Sequence, residues 1–223
     1  MRLYFLDPSC RAAVNVARLR RSNFDVGRLI AESAESLDAL IVIGNGTPDD
    51  SILGVLSFHL DGYKTVGIVK PGEMTHLSVL DVLKTYLRPR IRKLMILIDQ
   101  EDLTLDNLFD NALRRMRGTG ISVDHVEEME RLRVCRCSLA GRDFDVIIVA
   151  NGLEEVSSQT HSIEDHLTKA AEIEVAENSK RSWRSLNRSE REEVFKRLQE
   201  KRIDEIEDIF PQQVSGCRRL AEE

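Results

Sequence analysis

Up to about residue 155, short apolar runs alternate with amphipathic segments along the chain, a pattern typical of an α/β fold. The runs 40–43, 94–98 and 146–149 are continuous and rich in β-branched residues, as in strands that are covered on both faces. We therefore predict a doubly wound, mainly parallel sheet. Its strands are predicted at about residues 2–6, 39–43, 64–69, 93–98, 122–126, 131–139 and 144–149.

The amphipathic segments are predicted as helices at about residues 10–20, 26–36, 49–60, 75–87, 104–116, 161–177 and 188–203. Several of these segments begin with residues that favour a helix start. Thr47 and Pro48 provide a hydroxyl cap and a proline at the first helical position, and Thr104 can cap a later helix in the same way. Ser189, with Glu192 three residues later, is typical of a capping box.

The character of the chain changes near Ser157, where apolar β-runs disappear and charged helical segments follow. We predict an α/β domain at 1–155 and a charged helical extension at 160–223, with residues 178–187 as a linker. The extension includes the apolar residues Trp183, Val194 and Leu198. Its helices therefore offer a surface for a homodimer or for another protein partner.

The composition limits the class of protein. With 223 residues and 42% hydrophobic content, the chain can bury one substantial core. No apolar run reaches the roughly 18 residues that cross a bilayer, and the N-terminus is charged too soon for a signal peptide. We expect a cytoplasmic protein with no membrane partner. Its four cysteines lack the ligand spacing of a zinc site, so we expect reduced thiols.

Charge is distributed unevenly along the chain. The net charge of -6 does not favour nucleic-acid binding by the whole surface. Residues 180–202, however, include nine basic and four acidic side chains, and a second basic segment contains Arg11, Arg18, Arg20 and Arg21. These segments either contact phosphates or form solvated helix faces with pairs such as Glu192–Lys196. Both interpretations stay open at this point.

Three of the predicted strands end in polar residues. Two run into Asn-Gly, at Asn45-Gly46 and Asn151-Gly152, and the third runs into Asp99. In open parallel sheets, ligands bind outside the carboxyl ends of the strands, so these ends are expected to converge on one edge. The alternative is that Asn-Gly provides only a tight turn with positive φ.

The segment Asp99-Gln100-Glu101-Asp102 has the strongest chemical signal in the chain. Carboxylates at a strand end are a compact oxygen-ligand pair for Mg²⁺, which needs only one or two of them beside waters and phosphates. Without a nearby cation, such neighbouring acids repel one another, and the pKa of at least one of them rises. The alternative is a solvated acidic loop before a helix.

The order of these motifs resembles the Toprim domain of topoisomerases, primases and related nucleases, over about residues 37–170. Where that family has a Glu-Gly-x-x-Asp loop after its first strand, this chain has Asn45-Gly46-Thr47-Pro48-Asp49. The family's Asp-x-Asp motif is similar to Asp99-Gln100-Glu101. The stretch 161–167 is similar to an acidic stretch near the end of some small stand-alone Toprim-like proteins.

The resemblance implies a Mg²⁺- or Mn²⁺-dependent phosphodiesterase or nuclease that acts on nucleic acid or nucleotide phosphates. The metal ligands are then expected to be Asp99, Glu101, Asp102 and Glu164. The expected catalytic residues are Asn45, Asp49 and Glu101. The expected phosphate or nucleic-acid contacts are Gly46, Asn151, Lys180, Arg181, Arg184 and Arg188.

One departure from the family pattern opens two alternatives. Asn45 stands where the family has a glutamate that is thought to act as general acid or base, or to help bind metal. An amide does not transfer a proton near neutral pH, although its oxygen can ligate a metal. The chain is therefore alternatively a catalytically inactive Toprim-like scaffold or protein-interaction module. A third interpretation is a small-nucleotide binder that uses the Asn45-Gly46 and Asn151-Gly152 loops.

The variant Asn45→Glu tests the resemblance. It restores the family's loop carboxylate, so we expect Mn²⁺-dependent cleavage of single-stranded or plasmid substrates to rise by about 10²-fold, the usual contribution of one general acid or base. Asn45→Gln, which is similar in size but cannot transfer a proton, is the control. A folded Asn45→Glu protein with no gain over the control would contradict the Toprim-like assignment.

Overall fold

Seven strands form one mostly parallel sheet in the order β1-β3-β2-β4-β7-β6-β5. The structure, a computed structural model, describes residues 1–7, 11–34, 37–44, 48–60, 64–72, 76–87, 90–175 and 177–222. The strands are β1 Arg2–Phe5, β2 Ala39–Ile43, β3 Thr65–Val69, β4 Lys93–Asp99, β5 Ser122–Met129, β6 Leu132–Leu139 and β7 Arg142–Asn151. The first five strands in that order run parallel, and β6 is antiparallel to β7 and β5. All seven predicted strands and the mainly parallel α/β sheet are confirmed.

The central strands contain continuous apolar runs because both faces of the sheet are covered. In β4, Met95 and Leu97 belong to the core on one face, whereas Leu94, Ile96 and Ile98 belong to the core on the other. Each of these five side chains is at most 3% exposed. A strand buried on both faces cannot alternate apolar with polar residues, which explains the continuous runs in the sequence.

The α-helices of the described residues are α1 Arg11–Arg18, α2 Val26–Leu29, α3 Pro48–His59, α4 Leu83–Tyr86, α5 Leu105–Gly118, α6 Ile163–Ala171, α7 Ser179–Ser185, α8 Arg188–Glu200, α9 Ile203–Ile209 and α10 Pro211–Ala221. Two 3₁₀ segments, Leu19–Ser22 and His76–Val82, lie between them. In these described ranges, no helix is both long enough and apolar enough to cross a lipid bilayer.

The helix starts confirm one predicted cap and correct another. Thr104 Oγ1 accepts a hydrogen bond from the Asn107 N–H at 3.3 Å, so Thr104 caps α5 as predicted. The predicted capping box at Ser189 is wrong. The box is formed by Asn187 and Glu190, since each side chain accepts a hydrogen bond from the other's backbone N–H, at 3.0 and 2.7 Å.

The C-terminal part of the chain is more ordered than its sequence indicates. Residues 178–187, predicted as a linker, contain α7, whose first turn is capped by the Asn178 side chain at 3.1 Å from the Arg181 nitrogen. Helices α9 and α10 were not predicted either. Helix α10 packs on β7 and β4, and its Val214 and Leu220 join the same core as Val149. The division of the chain into an α/β domain at 1–155 and an extension at 160–223 stays a prediction. Helices from the range 160–223 share a hydrophobic core with the sheet.

Gly216 tests whether α10 rests directly on the sheet. A Cβ at Gly216 would lie 2.7 Å from Cγ2 of Val149 and 2.9 Å from Sδ of Met95. We therefore expect Gly216→Ala to lower the free energy of unfolding by about 1–3 kcal/mol, because overpacking outweighs the better helix propensity of alanine. Urea denaturation measures the change.

Gly118 at the end of α5 is the matched control, since a Cβ there meets no atom of the described residues within 4 Å. Gly118→Ala is expected to be neutral or to stabilise by up to about 1 kcal/mol. If Gly216→Ala were as stable as Gly118→Ala, the described packing of α10 would be wrong.

Candidate functional site

A cavity of about 440 Å³ opens at the carboxyl ends of β2, β4 and β7, where ligands bind in open parallel sheets. We call it the acidic crevice. Its acidic lining residues are Asp49, Asp99, Glu101 and Glu164, and its basic ones are Lys180, Arg184 and Arg191. A cavity of this size is typical of a small-ligand site.

Three carboxylates from different elements meet in the acidic crevice. Asp49 lies in the first turn of α3, Asp99 ends β4, and Glu164 lies in the first turn of α6. Asp49 and Glu164 are each only 6% exposed, and Asp99 is half-buried. The Asn151 amide joins two of the acids, since its Nδ2 donates to Asp49 Oδ1 at 3.0 Å and to Asp99 Oδ1 at 3.1 Å. The two carboxylates therefore point at the same position.

The start of α6 also supports Asp99. The Ile163 N–H, at the first position of that helix, donates to Asp99 Oδ1 at 3.1 Å. A helix N-terminus has unpaired N–H groups and a partial positive charge, so a carboxylate there is stabilised. Asp99 thus caps α6 from a distant strand end.

Burial and mutual repulsion dominate the electrostatics of the acidic crevice. Burial, followed by the charge of Asp99, raises the pKa of Asp49 well above its usual range. Burial and then the charge of Glu164 raise the pKa of Asp99 to about 6, although Lys180 and two hydrogen bonds oppose the rise. The neighbouring cation and hydrogen bonds therefore do not fully offset the cost of ionising Asp49 and Asp99.

The adjacent residue, Asp50, shows what a compensated buried acid looks like in this protein. Lys70 Nζ lies 2.9 and 2.7 Å from its two carboxylate oxygens, and Asn15 Nδ2 donates to it at 2.7 Å. Burial raises the pKa of Asp50, and both partners oppose that rise. Asp50 therefore belongs to a structural ion pair between α3 and the end of β3.

Lys180 is the cation in direct contact with the acids of the crevice. Its Nζ lies 2.5 Å from Oε1 of Glu101 and 3.9 Å from Oδ2 of Asp99. Burial alone would lower the pKa of Lys180, but the hydrogen bond to Glu101 and the charge of Asp99 raise it. Glu101 itself has φ of 56° and exchanges backbone hydrogen bonds of 2.7 and 2.8 Å with His161.

A buried polar network below the crevice fixes Asn151. Its Oδ1 accepts from Gln213 Nε2 of α10 at 2.9 Å. The neighbouring Gly152 N–H donates to Nε2 of His166 at 3.2 Å, so that nitrogen is the acceptor and Nδ1 donates to the Ile209 carbonyl at 2.6 Å. Burial lowers the pKa of His166 to about 3, which keeps its ring neutral.

The structure brings most of the predicted site residues together. Those that line the acidic crevice are Asp49, Asp99, Glu101, Asn151, Glu164, Lys180 and Arg184. Three others, Asp102, Arg181 and Arg188, are exposed and are not among its lining residues. Asn45 and Gly46 lie outside the described residues. The chemical roles assigned to all of these residues stay predictions.

Two side chains that line the crevice, His76 and Trp183, were not assigned to it from the sequence, whereas Arg191 lies in the basic segment 180–202. No motif marks His76 or Trp183, because each reaches the crevice through tertiary packing. His76 has φ of 50°, and its Nε2 is shielded from solvent without a hydrogen-bond partner among the described residues.

No three side chains of the His, Cys, Asp and Glu residues in the described ranges are arranged to hold a metal ion together. Comparisons of the chain with family models, with curated proteins and with solved structures give no match.

The pKa of Asp99 predicts how stability depends on pH. Because this pKa rises from 3.8 to about 6 on folding, the folded state binds more protons between these values, and stability falls as pH increases through that window. The side chain of Asp99→Asn does not ionise, so the variant does not lose stability in this window. Its amide oxygen can still accept the hydrogen bonds from Ile163 and Asn151. We expect the variant to be more stable than wild type at pH 7.5, on the order of 2 kcal/mol, with a flatter profile between about pH 4 and 6.

Asp50→Asn is the control for this prediction, because the neighbouring carboxylate contacts Lys70. Breaking that buried ion pair is expected to destabilise the protein by about 3 kcal/mol at pH 7.5. Urea denaturation across the pH range compares the two variants with wild type. A destabilised Asp99→Asn protein would contradict the described electrostatics.

Proposed function

We propose that the acidic crevice binds a phosphate group of a nucleotide or nucleic acid together with Mg²⁺ or Mn²⁺, and that the protein is a Toprim-like, metal-dependent phosphodiesterase or nuclease. One observation carries the proposal. Asp49, Asp99 and Glu164 line one cavity at the sheet edge, and three basic side chains line the same cavity. A cavity lined by both acids and cations complements a metal–phosphate pair.

The donor set fits a hard divalent cation. Carboxylate oxygens are the ligands that Mg²⁺ prefers, and one or two suffice when phosphates and waters supply the rest. A preformed cage of three carboxylates is thus not required. The raised pKa values of Asp49 and Asp99 support the presence of a cation in the working state, because a positive charge would relieve their repulsion.

The basic lining residues of the crevice support an anionic ligand. Lys180 comes from the first turn of α7, Arg184 from its last turn, and Arg191 from α8. The Arg184 side chain is exposed, so its guanidinium is available to a phosphate. Lys180 contacts Glu101 and Asp99, so a bound phosphate would share it with these acids.

The sheet topology supports the Toprim-like assignment. The two motifs of the resemblance follow β2 and β4, which are parallel neighbours with Val42 opposite Ile96. These two strands therefore end at the same edge of the sheet. The acidic stretch at 161–167 reaches that edge as well, through the Glu101–His161 backbone bridge.

Each residue has a distinct proposed part in the reaction. A bound metal would polarise a phosphoryl oxygen and activate water for in-line displacement. Asp99 and Glu164 would hold the cation, while Lys180 would neutralise charge on the phosphate. Burial and the charge of Asp99 raise the pKa of Asp49 and favour its protonated form, so a cation bound there would favour release of that proton.

Thermal unfolding with and without metal tests the proposal. We expect Mn²⁺ at about 100 times its dissociation constant to stabilise wild type by roughly 2.7 kcal/mol, and to have little effect on the double variant Asp99→Asn/Glu164→Gln. Asp110→Asn, an exposed acid on α5, is the control and should respond like wild type. Calorimetry in buffers of different ionisation enthalpy should also detect proton release on binding near pH 6.

Hydrolysis and binding separate the parts of the proposal. Mn²⁺-dependent cleavage of a phosphodiester, lost in Asp99→Asn/Glu164→Gln, would support an enzyme. Metal-dependent binding of a nucleotide without cleavage of any phosphodiester would overturn the enzymatic part and favour a binder. If metal changed neither stability nor nucleotide affinity, the proposal would fail as a whole, and the inactive scaffold would be the better interpretation.

A further inference from the structure

Two arginine-rich segments that are far apart in the sequence meet beside the acidic crevice. The 3₁₀ segment Leu19–Ser22 packs against α8. Its Ser22 Oγ donates to the Glu192 carbonyl at 2.9 Å, and Arg21 Nη1 lies 3.6 Å from the Glu192 carboxylate. The basic N-terminal segment and the basic C-terminal segment thus form one surface.

The space between these segments is a cavity of about 530 Å³, which we call the arginine groove. Its charged lining residues are Arg18, Arg21, Arg188, Arg191 and Glu192. Four guanidiniums against one carboxylate leave a net charge of +3, in a protein whose total is -6. Glu192 already contacts both Arg21 and Arg188, and Phe195 adds an apolar wall.

Arg191 connects the arginine groove to the acidic crevice, since it lines both cavities. Its Nη2 donates to the Arg184 carbonyl at 2.8 Å, which holds the guanidinium between the two spaces. Its Nε is shielded from solvent and has no hydrogen-bond partner within the described residues. A chain of phosphates that leaves the crevice on this side would meet arginines next.

We propose that the arginine groove is a second phosphate-binding surface, which holds the phosphates next to the one in the crevice and selects a single-stranded oligonucleotide over a mononucleotide. This inference rests on the proposed function of the crevice. A basic groove with an aromatic wall is typical of single-strand binding. A duplex fits less well, because Asp49 and Glu164 are only 6% exposed, and a flexible strand brings a phosphate to recessed groups more easily than a stiff duplex does.

The double variant Arg18→Gln/Arg21→Gln tests the groove without changing the crevice. The main probe is an oligothymidylate of about 12 nucleotides, a length within the usual single-strand site sizes. Thymidine monophosphate and a duplex of equal length are measured separately for comparison. We expect the variant to lose about tenfold in oligonucleotide affinity. The slope of log affinity against log salt should fall by roughly 1.4, or about 0.7 for each lost phosphate contact. Mononucleotide affinity should not change.

The control is Lys84→Gln/Arg114→Gln, which removes two exposed charges from helices on the opposite face of the sheet. It should bind every probe like wild type. Fluorescence anisotropy measures the affinity for each probe in Mg²⁺ and in EDTA. An oligouridylate is included as a further probe. Tighter binding of the uridylate or of the thymidylate identifies RNA or DNA, and either supports the inference.

The outcomes separate this inference from the proposed function. Wild type that binds the oligonucleotide no more tightly than the mononucleotide, or the duplex as tightly as the single strand, would overturn it. So would a double variant that matches the control. Oligonucleotide binding that is lost in the double variant but is indifferent to metal would support the groove and contradict the metal-dependent crevice.

Discussion

The burial of like-charged carboxylates in one cavity is the constraint around which the site is built. Asp49, Asp99 and Glu164 each come from an element that the fold brings to the same sheet edge. Asn151, the first N–H of α6 and Lys180 each offset part of the cost. They do not remove it, because the pKa of Asp99 still rises to about 6. Stability is commonly lower where a site must hold like charges together for function.

The C-terminal helices contribute to that site although they are charged and distant in the sequence. Helix α7 supplies Lys180 and Arg184, and α10 supplies the Gln213 side chain that orients Asn151. The buried, neutral His166 connects the end of β7 to the Ile209 carbonyl. The acidic crevice therefore depends on the C-terminal helices as well as on the sheet, and its geometry is coupled to the packing of α10 on the sheet.

The sequence predicts the sheet well because burial on both faces leaves a direct mark, the continuous apolar runs at 40–43, 94–98 and 146–149. It also predicts that acids at strand ends converge, because parallel strands end at one edge. It cannot choose between local patterns of equal quality: Ser189 with Glu192 and Asn187 with Glu190 have the same spacing, and only the second forms the box. His76 and Trp183 reach the crevice through tertiary contacts that no local pattern encodes.

The paired backbone hydrogen bonds between Glu101 and His161 have a mechanical consequence. They join the loop after β4 to the segment that begins α6, and the Ile163–Asp99 hydrogen bond makes a third link between the same two pieces. Asp99 and Glu164 are consequently held by one stiff unit, although 64 positions separate Ile163 from Asp99 along the chain. A ligand that pulls on one of these carboxylates displaces the other with it, so little ordering entropy is lost when both engage the same partner.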